Sequence, residues 1–427
     1  MRDMKTNTTT KSMRRSLPVF AQIVHLIPAG LIERLSAGCA VKARVLSYAR
    51  QIHSLILGQL SGAFSLNEIC DSETVHAKKL FRIRGMVPAK RNTFSHANRT
   101  RDPSVAEKLF WTMLDRLTSM APRFARPGQK GQLARFRLRR IFAVDSTVLL
   151  LTLKSFDWAK YRGRKAAAKL HMACEVSSRL PAFACLTTGN VADVRQMLAV
   201  TAKLKAGDIA VFDRAYNDFA LLRVLAARGV YFVVREKDNL RYGVVGATPE
   251  NALPASVVSD ETIVLQGRAT TGKYPEPLRR IRARVEVDGQ EREMVVLTNN
   301  PDWAPTTITQ LYRSRWQVEL LFKELTQTLQ LRDFYGENDK AVAWQIWTAM
   351  LTHLMLRFLA FCSKWRGSYT RFAGVVRAAL WERTDLMRLL QTYGTTPDPP
   401  GPVWDGKTPC LPGFERFCAR AMGQHSA

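Results

Sequence analysis

The chain is poor in the features that several protein classes require. Its seven cysteines (Cys39, Cys70, Cys174, Cys185, Cys362, Cys410 and Cys418) form no CxxC pair. That argues against a zinc ribbon and against a disulfide scaffold, and leaves buried or free thiols in a reducing cytoplasm. No stretch reads as a signal peptide. Long apolar runs are interrupted: Gln22, His25 and Pro28 break the run from Leu17 to Ile32. The run from Ala341 to Cys362 carries Gln345, His353 and Arg357, so a buried amphipathic helix is expected there rather than a membrane span. No internal repeat is visible. Acidic residues are scarce, 36 against 64 basic ones, for a formal charge of +28. A globular chain this basic either meets a polyanion or repels itself. Nucleic acid is the first partner to consider and an anionic membrane surface the second.

The 427 residues exceed one ordinary domain, and a 46% hydrophobic content is enough for a sizeable core. Residues 1–140 hold 26 basic and only 8 acidic side chains, so most non-specific DNA affinity is expected there. Residues 1–13 are polar and expected to fray. From about 17 to 120 the apolar spacing is helical, as in Leu109, Met113 and Leu117, with Pro88, Pro103 and Pro122 as punctuation. The basic stretch Arg123–Arg140 reads as a linker.

The pattern then changes. Ile141–Val144 is a short strand ending on Asp145. Met172–Val176 and Ala182–Thr187 alternate as strands about a turn near Ser178–Pro181. A helix is expected from about Asp193 to Lys205, with Asp193 as its N-cap. Ile209–Phe212 is an apolar strand ending on Asp213; Phe219–Ala227 is a helix closed by Gly229, and Val230–Val234 a further strand. Three antiparallel strands, a helix, a strand, a helix and a strand is the order of an RNase H-like α/β fold. Ile263–Leu265, Arg280–Val287 and Met294–Leu297 look like strands of a β-rich insertion within 236–300. Helices resume near Thr306 and run to about 395, followed by a Pro-rich tail.

Two acids thus sit at the ends of apolar strands, and an Asp there costs burial energy unless a metal, a helix cap or an Arg compensates it. A third lies in Tyr312-Arg313-Ser314-Arg315-Trp316-Gln317-Val318-Glu319. On a helix, Tyr312, Arg315, Glu319 and Lys323 share one narrow face, beside an apolar face of Val318, Leu321, Leu325 and Leu329. Glu324 points about 140° away and is the weaker candidate. The plain alternative is a solvated i,i+4 pair, Arg315–Glu319 or Glu319–Lys323. Three gathered carboxylates suit phosphodiester cleavage, in which two Mg²⁺ ions about 4 Å apart activate the attacking oxygen and stabilise the leaving one. Mg²⁺ takes hard carboxylate oxygens rather than Cys or His.

These blocks resemble the insertion sequence four family of DDE transposases. Phe142-Ala143-Val144-Asp145-Ser146-Thr147 is similar to the first-Asp block, and Val211-Phe212-Asp213-Arg214-Ala215-Tyr216 to the second. Lys169-Leu170-His171 with Thr188-Gly189-Asn190-Val191-Ala192-Asp193 matches the antiparallel strands and turn. Leu311 to Glu319 carries the Tyr-x2-Arg-x3-Glu signature. Thr93-Phe94-Ser95 to Arg101 resembles the family's N-terminal region more weakly, and the likeness covers about residues 90–335. The resemblance implies an RNase H-like core with a β insertion between the second Asp and the Glu. It implies excision through a DNA hairpin and integration into a target duplex. By it, Asp145, Asp213 and Glu319 are catalytic and bind two Mg²⁺, with Mn²⁺ as a substitute, while Tyr312 and Arg315 hold DNA-end phosphates. Trp316 matches an aromatic that often follows the Arg; it either stacks on a displaced base or packs in the core beside Val318. Trp303 is a second stacking candidate. Lys169 and His171 either orient a carboxylate, touch phosphate, or simply occupy the less buried strand face. Arg162, Arg164 and Lys165 are expected to track the DNA backbone or to lie in a solvated loop. The family signature ends in a Lys where this chain has Thr326; Lys323, one turn earlier, carries a charge on the same face.

The expected organisation is a helical, basic DNA-end-binding region (1–140), the first part of the core (141–235), a β-rich insertion (236–304), the Glu helix (305–335) and a helical C-terminal region (336–427). Expected partners are double-stranded DNA, both terminal inverted repeats and target, and a second copy of the chain, because transposition holds two ends together. No membrane is expected; the setting is bacterial cytoplasm, at the nucleoid. The rivals are a metal nuclease without strand transfer and an inactive, domesticated DNA-binding protein.

Overall fold

The computed structural model describes residues 17–39, 46–128, 131–136, 138–151, 160–161, 165–267, 270–287, 290–331, 333–336 and 338–395. The N-terminal 1–13 stretch and the Pro-rich tail lie outside them. Among the described residues ten strands form one mixed sheet flanked by helices. They are β1 Ile141–Leu151, β2 Lys160–Tyr161, β3 Lys165–Glu175, β4 Pro181–Thr188, β5 Ile209–Phe212, β6 Tyr231–Arg235, β7 Tyr242–Ala247, β8 Val257–Leu265, β9 Leu278–Val287 and β10 Gln290–Thr298.

The sheet runs β2-β3-β1-β5-β6-β10-β9-β8-β7, with β4 also on β3. β1, β3 and β4 are antiparallel, whereas β1, β5 and β6 are parallel. β5 is central, and all four of its residues are buried. An unbroken apolar run is what a strand covered on both faces requires. The Asp193–Val200 and Phe219–Ala227 helices cover one face through Met197, Val200, Leu222 and Leu225. Asp218 caps the second helix by accepting from the backbone N–H groups of Ala220 and Leu221. Gly229 then reverses the chain at φ +72°, where a Cβ would also press on Ala206 at 3.0 Å.

Besides β3, which begins at Lys165 rather than Met172, three expectations change. β1 does not stop at Val144: it continues to Leu151, paired throughout with β3. What stops at Val144 is its parallel pairing with β5. The apolar run recorded the doubly covered part of the strand and missed the part with one sheet neighbour fewer. Second, the helix after β4 ends at Val200, and its N-cap is Ala192; Asp193 is the first helical residue and uses its side chain elsewhere. Third, β7–β10 form an antiparallel meander that extends the main sheet, because β10 pairs with β6 (Leu297↔Val234). The open edge of β6 is satisfied by the segment that follows it in sequence.

The helical parts share one core. Leu55, Ile56, Leu109 and Met113 from the N-terminal side pack with Trp344, Leu351 and Met355 of the Asp339–Cys362 helix. The Trp344 indole donates to the Arg101 carbonyl at 3.3 Å, and the Phe20 N–H to the Leu380 carbonyl at 2.9 Å. Asp339–Cys362 is long and apolar enough to cross a membrane, but 78% of its apolar window is buried here; it is the central helix of this core. Within the Arg123–Arg140 stretch Phe124 and Phe136 are buried, whereas Leu138 is exposed.

Candidate active site

Because Val144 and Phe212 are register partners in parallel strands, the residues after them leave the paired edge side by side. Those residues are Asp145 and Asp213. Successive side chains on a strand point to opposite faces. Ala143 faces the large helical core, so Asp145 faces that way too, toward the Trp316–Lys323 helix.

Glu319 reaches the same place. The helix carrying the signature is not continuous: Pro305–Arg313 ends at Ser314, and Trp316–Lys323 starts after Arg315. Arg315 sits at this junction. Its guanidinium bonds Asp145 Oδ2 at 2.8 Å and Glu319 Oε1 at 2.5 Å. The i,i+4 pair is therefore present, but the same guanidinium also reaches a carboxylate 170 residues away. The Tyr312 hydroxyl stands 3.5 Å from Asp213 Oδ1, and the Arg315 guanidinium lies 5.8 Å from the centre of the Tyr312 ring. Five residues from three distant stretches of sequence thus meet.

The electrostatics reflect that crowding. Burial pushes the Asp145 carboxyl up to about 6, and Glu319 and Asp213 push in the same direction, while Arg315 and the Ser146 N–H oppose them. Burial alone would lower the Arg315 pKa, but Asp145, Tyr312, Glu319 and Asp213 outweigh it and hold the pKa above its usual value. A half-desolvated carboxylate beside two more calls for positive charge. Among the described residues no group of three or more His, Cys, Asp or Glu side chains is placed to hold a metal ion; Arg315 is the cation that lies between Asp145 and Glu319. The donor set itself, three hard carboxylates and no thiol or imidazole, fits Mg²⁺ or Mn²⁺.

The other expected residues fall in different places. Trp316 is 57% exposed, so core packing beside Val318 is excluded. Together with Tyr312, Arg313 and Arg315 it edges a cleft of about 490 Å³ that also meets Arg235 and Arg292. Trp303 is not free to stack: it packs on Phe136 and Tyr231, at 4.9 and 5.0 Å between ring centres. Lys323 is exposed. The Thr326 hydroxyl donates to the Phe322 carbonyl at 2.8 Å, within a π-helical turn, Glu324–Thr328. Glu324 turns away to His353, at 2.7 Å. Arg162 and Arg164 lie outside the described residues, and Lys165 opens β3 opposite Tyr161.

Lys169 and His171 are not on the less buried face; both are buried, and both face Asp193. Lys169 Nζ lies 2.8 Å and His171 Nδ1 3.3 Å from Asp193 Oδ1. The latter is an ion-pair distance without hydrogen-bond alignment. His171 Nε2 meets the Thr187 hydroxyl at 2.9 Å, and Ser146 Oγ donates to Asp193 Oδ1 at 2.5 Å. Burial opposes ionisation of Asp193, yet His171, Lys169 and Ser146 hold its carboxyl well below the usual range. The sequence singled out Lys169 and His171, with orienting a carboxylate as one of their readings, but not Asp193 and Ser146 as their partners. Two basic residues two apart on one strand share a face, and that period was the cluster's visible signal.

Residues 137–355 match the family model described as transposase DDE domain. A putative transposase of Sinorhizobium fredii is 32% identical over 246 residues, 57% of this chain and 67% of that protein. A probable insertion-sequence transposase of Geobacillus stearothermophilus is 31% identical over 222 residues, 51% of this chain and 55% of that one. Among solved structures, the piggyBac transposase synaptic complex with hairpin DNA aligns with a TM-score of 0.42 at 11% identity, over 86% of this chain and 78% of that one. The matched segment begins just before β1 and ends within the Asp339–Cys362 helix, so it contains Asp145, Asp213 and Glu319; the chain belongs to the family of transposases with a DDE domain.

Proposed function

We propose that this chain is an insertion sequence four family transposase that excises its element by cut-and-paste through a hairpin intermediate and integrates it into target DNA. In this reading β1, β3, β4, β5 and β6 are an RNase H-like core and β7–β10 its insertion. Asp145, Asp213 and Glu319 hold two Mg²⁺ ions, which when bound activate the attacking oxygen and stabilise the leaving one. Tyr312 and Arg315, beside the carboxylates, take the phosphates of the DNA end. Arg315 suits that task because a planar guanidinium can present two parallel N–H donors to one phosphate. Trp316 lines a cleft of mixed charge, four arginines with Glu286 and Glu293, where an exposed ring is free to stack on a base. The surplus of 28 positive charges supplies sequence-independent attraction to the duplex. Two copies act together in the DNA complex, since two ends must be joined.

The observation that carries this reading is the single guanidinium of Arg315 bridging Asp145 and Glu319 next to Asp213. The test is nicking of duplex DNA bearing the element's terminal repeats, with Mg²⁺ or Mn²⁺. Metal-dependent nicking that ends in hairpin-capped ends, and that Asp145→Asn abolishes, is the expected result. Nicking without hairpins would identify a nuclease. Binding without nicking would identify a DNA-binding protein.

A further inference from the structure

The Asp193 cluster lies directly behind the carboxylate site. Ser146 and His171 are register partners on β1 and β3, and they face opposite to Asp145 and Met172. Phe142 and Val144, on the Ser146 side of β1, pack with Met197, Val200 and Tyr216. Asp193 enters from the first turn of its helix and meets Ser146, Lys169 and His171 in one buried place. Lys169 also donates to the Val191 carbonyl at 3.4 Å, so the turn before the helix is tied to the same strand. Helix, turn, β1, β3 and, through Thr187, β4 are thereby pinned together.

Ser146 connects this cluster to the front of the sheet. Its hydroxyl donates backward to Asp193 Oδ1 at 2.5 Å, and its backbone N–H donates forward to Asp145 Oδ1 at 2.8 Å. One residue therefore holds both carboxylates, from opposite sides of the strand. The other oxygen of Asp145 is the one that faces Arg315. Beyond Asp213, Tyr216 is fully buried; burial raises its pKa and Asp193 and Asp145 add to it, while the neighbouring Ser146 hydroxyl acts against them; the second-Asp turn therefore packs against the same place.

We propose that Asp193 is a positioning residue for the first catalytic carboxylate: through Ser146 it fixes the plane of β1 behind Asp145 and so the direction in which the Asp145 oxygens face the metal position. The inference rests on the reading of Asp145 as a metal ligand. Lys169 and His171 serve Asp193 rather than DNA, since both are buried and already engaged. Groups that orient a ligand carboxylate from behind typically account for roughly tenfold to a hundredfold in metal affinity.

The experiment is a Mn²⁺ titration of the full chain followed by electron paramagnetic resonance, with melting temperature measured in chelator. The variants are Ser146→Ala, Ser146→Thr and Asp145→Asn. Ser146→Ala keeps the backbone N–H and removes the hydroxyl, which links to Asp193 and also neighbours the buried Tyr216 hydroxyl. It is expected to weaken Mn²⁺ binding by roughly tenfold with little change in the metal-free melting temperature. Ser146→Thr retains the hydroxyl and restores binding. Unchanged Mn²⁺ affinity in Ser146→Ala overturns the proposal, as does a loss that Ser146→Thr fails to restore. If Asp145→Asn itself binds Mn²⁺ as the unaltered chain does, the metal-ligand reading of Asp145 fails, and the positioning role falls with it. Loss in Asp145→Asn with none in Ser146→Ala removes only the positioning role.

Discussion

Asp145→Asn gives a sharp test of the site that needs no DNA. Burial lifts the Asp145 carboxyl from its usual 3.8 to about 6. Between those two values the folded chain keeps a proton that the unfolded chain has released. Stability therefore falls as pH rises from about 4 to about 6, by about 1.4 kcal/mol per unit and about 3 kcal/mol in all. Above pH 6 the penalty is complete and constant; below 3.8 it is absent. Asn carries no charge at any pH and escapes it, although it gives up the ion pair to Arg315. In chelator, the stability of Asp145→Asn relative to the unaltered chain should thus climb by about 3 kcal/mol between pH 4 and 6.5 and then level off. Denaturant midpoints across that range measure it, and titrating groups remote from Asp145 cancel in the comparison. Mg²⁺ should then stabilise the unaltered chain at pH 7.5 and leave the variant unmoved. A difference that stays flat from pH 4 to 6.5, or moves the other way, would refute the claim that Asp145 is held at a desolvated cost.

Two further substitutions separate function from packing. Trp316→Ala, at an exposed ring, should change stability by no more than about 0.5 kcal/mol while weakening binding to DNA ends in a gel-shift assay; equal binding would remove Trp316 from the interface. Trp344→Ala empties a fully buried site that joins the Asp339–Cys362 helix to Arg101, and should cost about 3–5 kcal/mol in chemical denaturation; a loss below 1 kcal/mol would argue against a shared core for the N- and C-terminal segments.

Much of the site is legible in the chain itself. Strand-end acids after apolar runs, and a Tyr, an Arg and a Glu at helical spacing, are local patterns set by periods of two and 3.6 residues. They point to Asp145, Asp213 and Glu319, and the structure brings those three stretches together. The elements that fail are instructive. Trp303 and Trp316 are both aromatic and both close to the Tyr312–Glu319 signature in sequence, yet one is packed between Phe136 and Tyr231 and the other is exposed. Nothing local distinguishes them.

By itself, then, the sequence determined the identity and order of the strands around Asp145 and Asp213, the helical spacing of Tyr312, Arg315 and Glu319, and the excess of positive charge, because each depends on neighbours along the chain. Only the tertiary structure decided that β7–β10 extend the main sheet and that the described helices before β1 and after residue 338 share one core. It alone decided that Arg315 joins Glu319 to Asp145, and that Asp193 turns from capping its helix to holding Lys169, His171 and Ser146. Those outcomes depend on which unpaired edges and buried charges come within reach once the chain is compact, and separation in sequence carries no record of that distance.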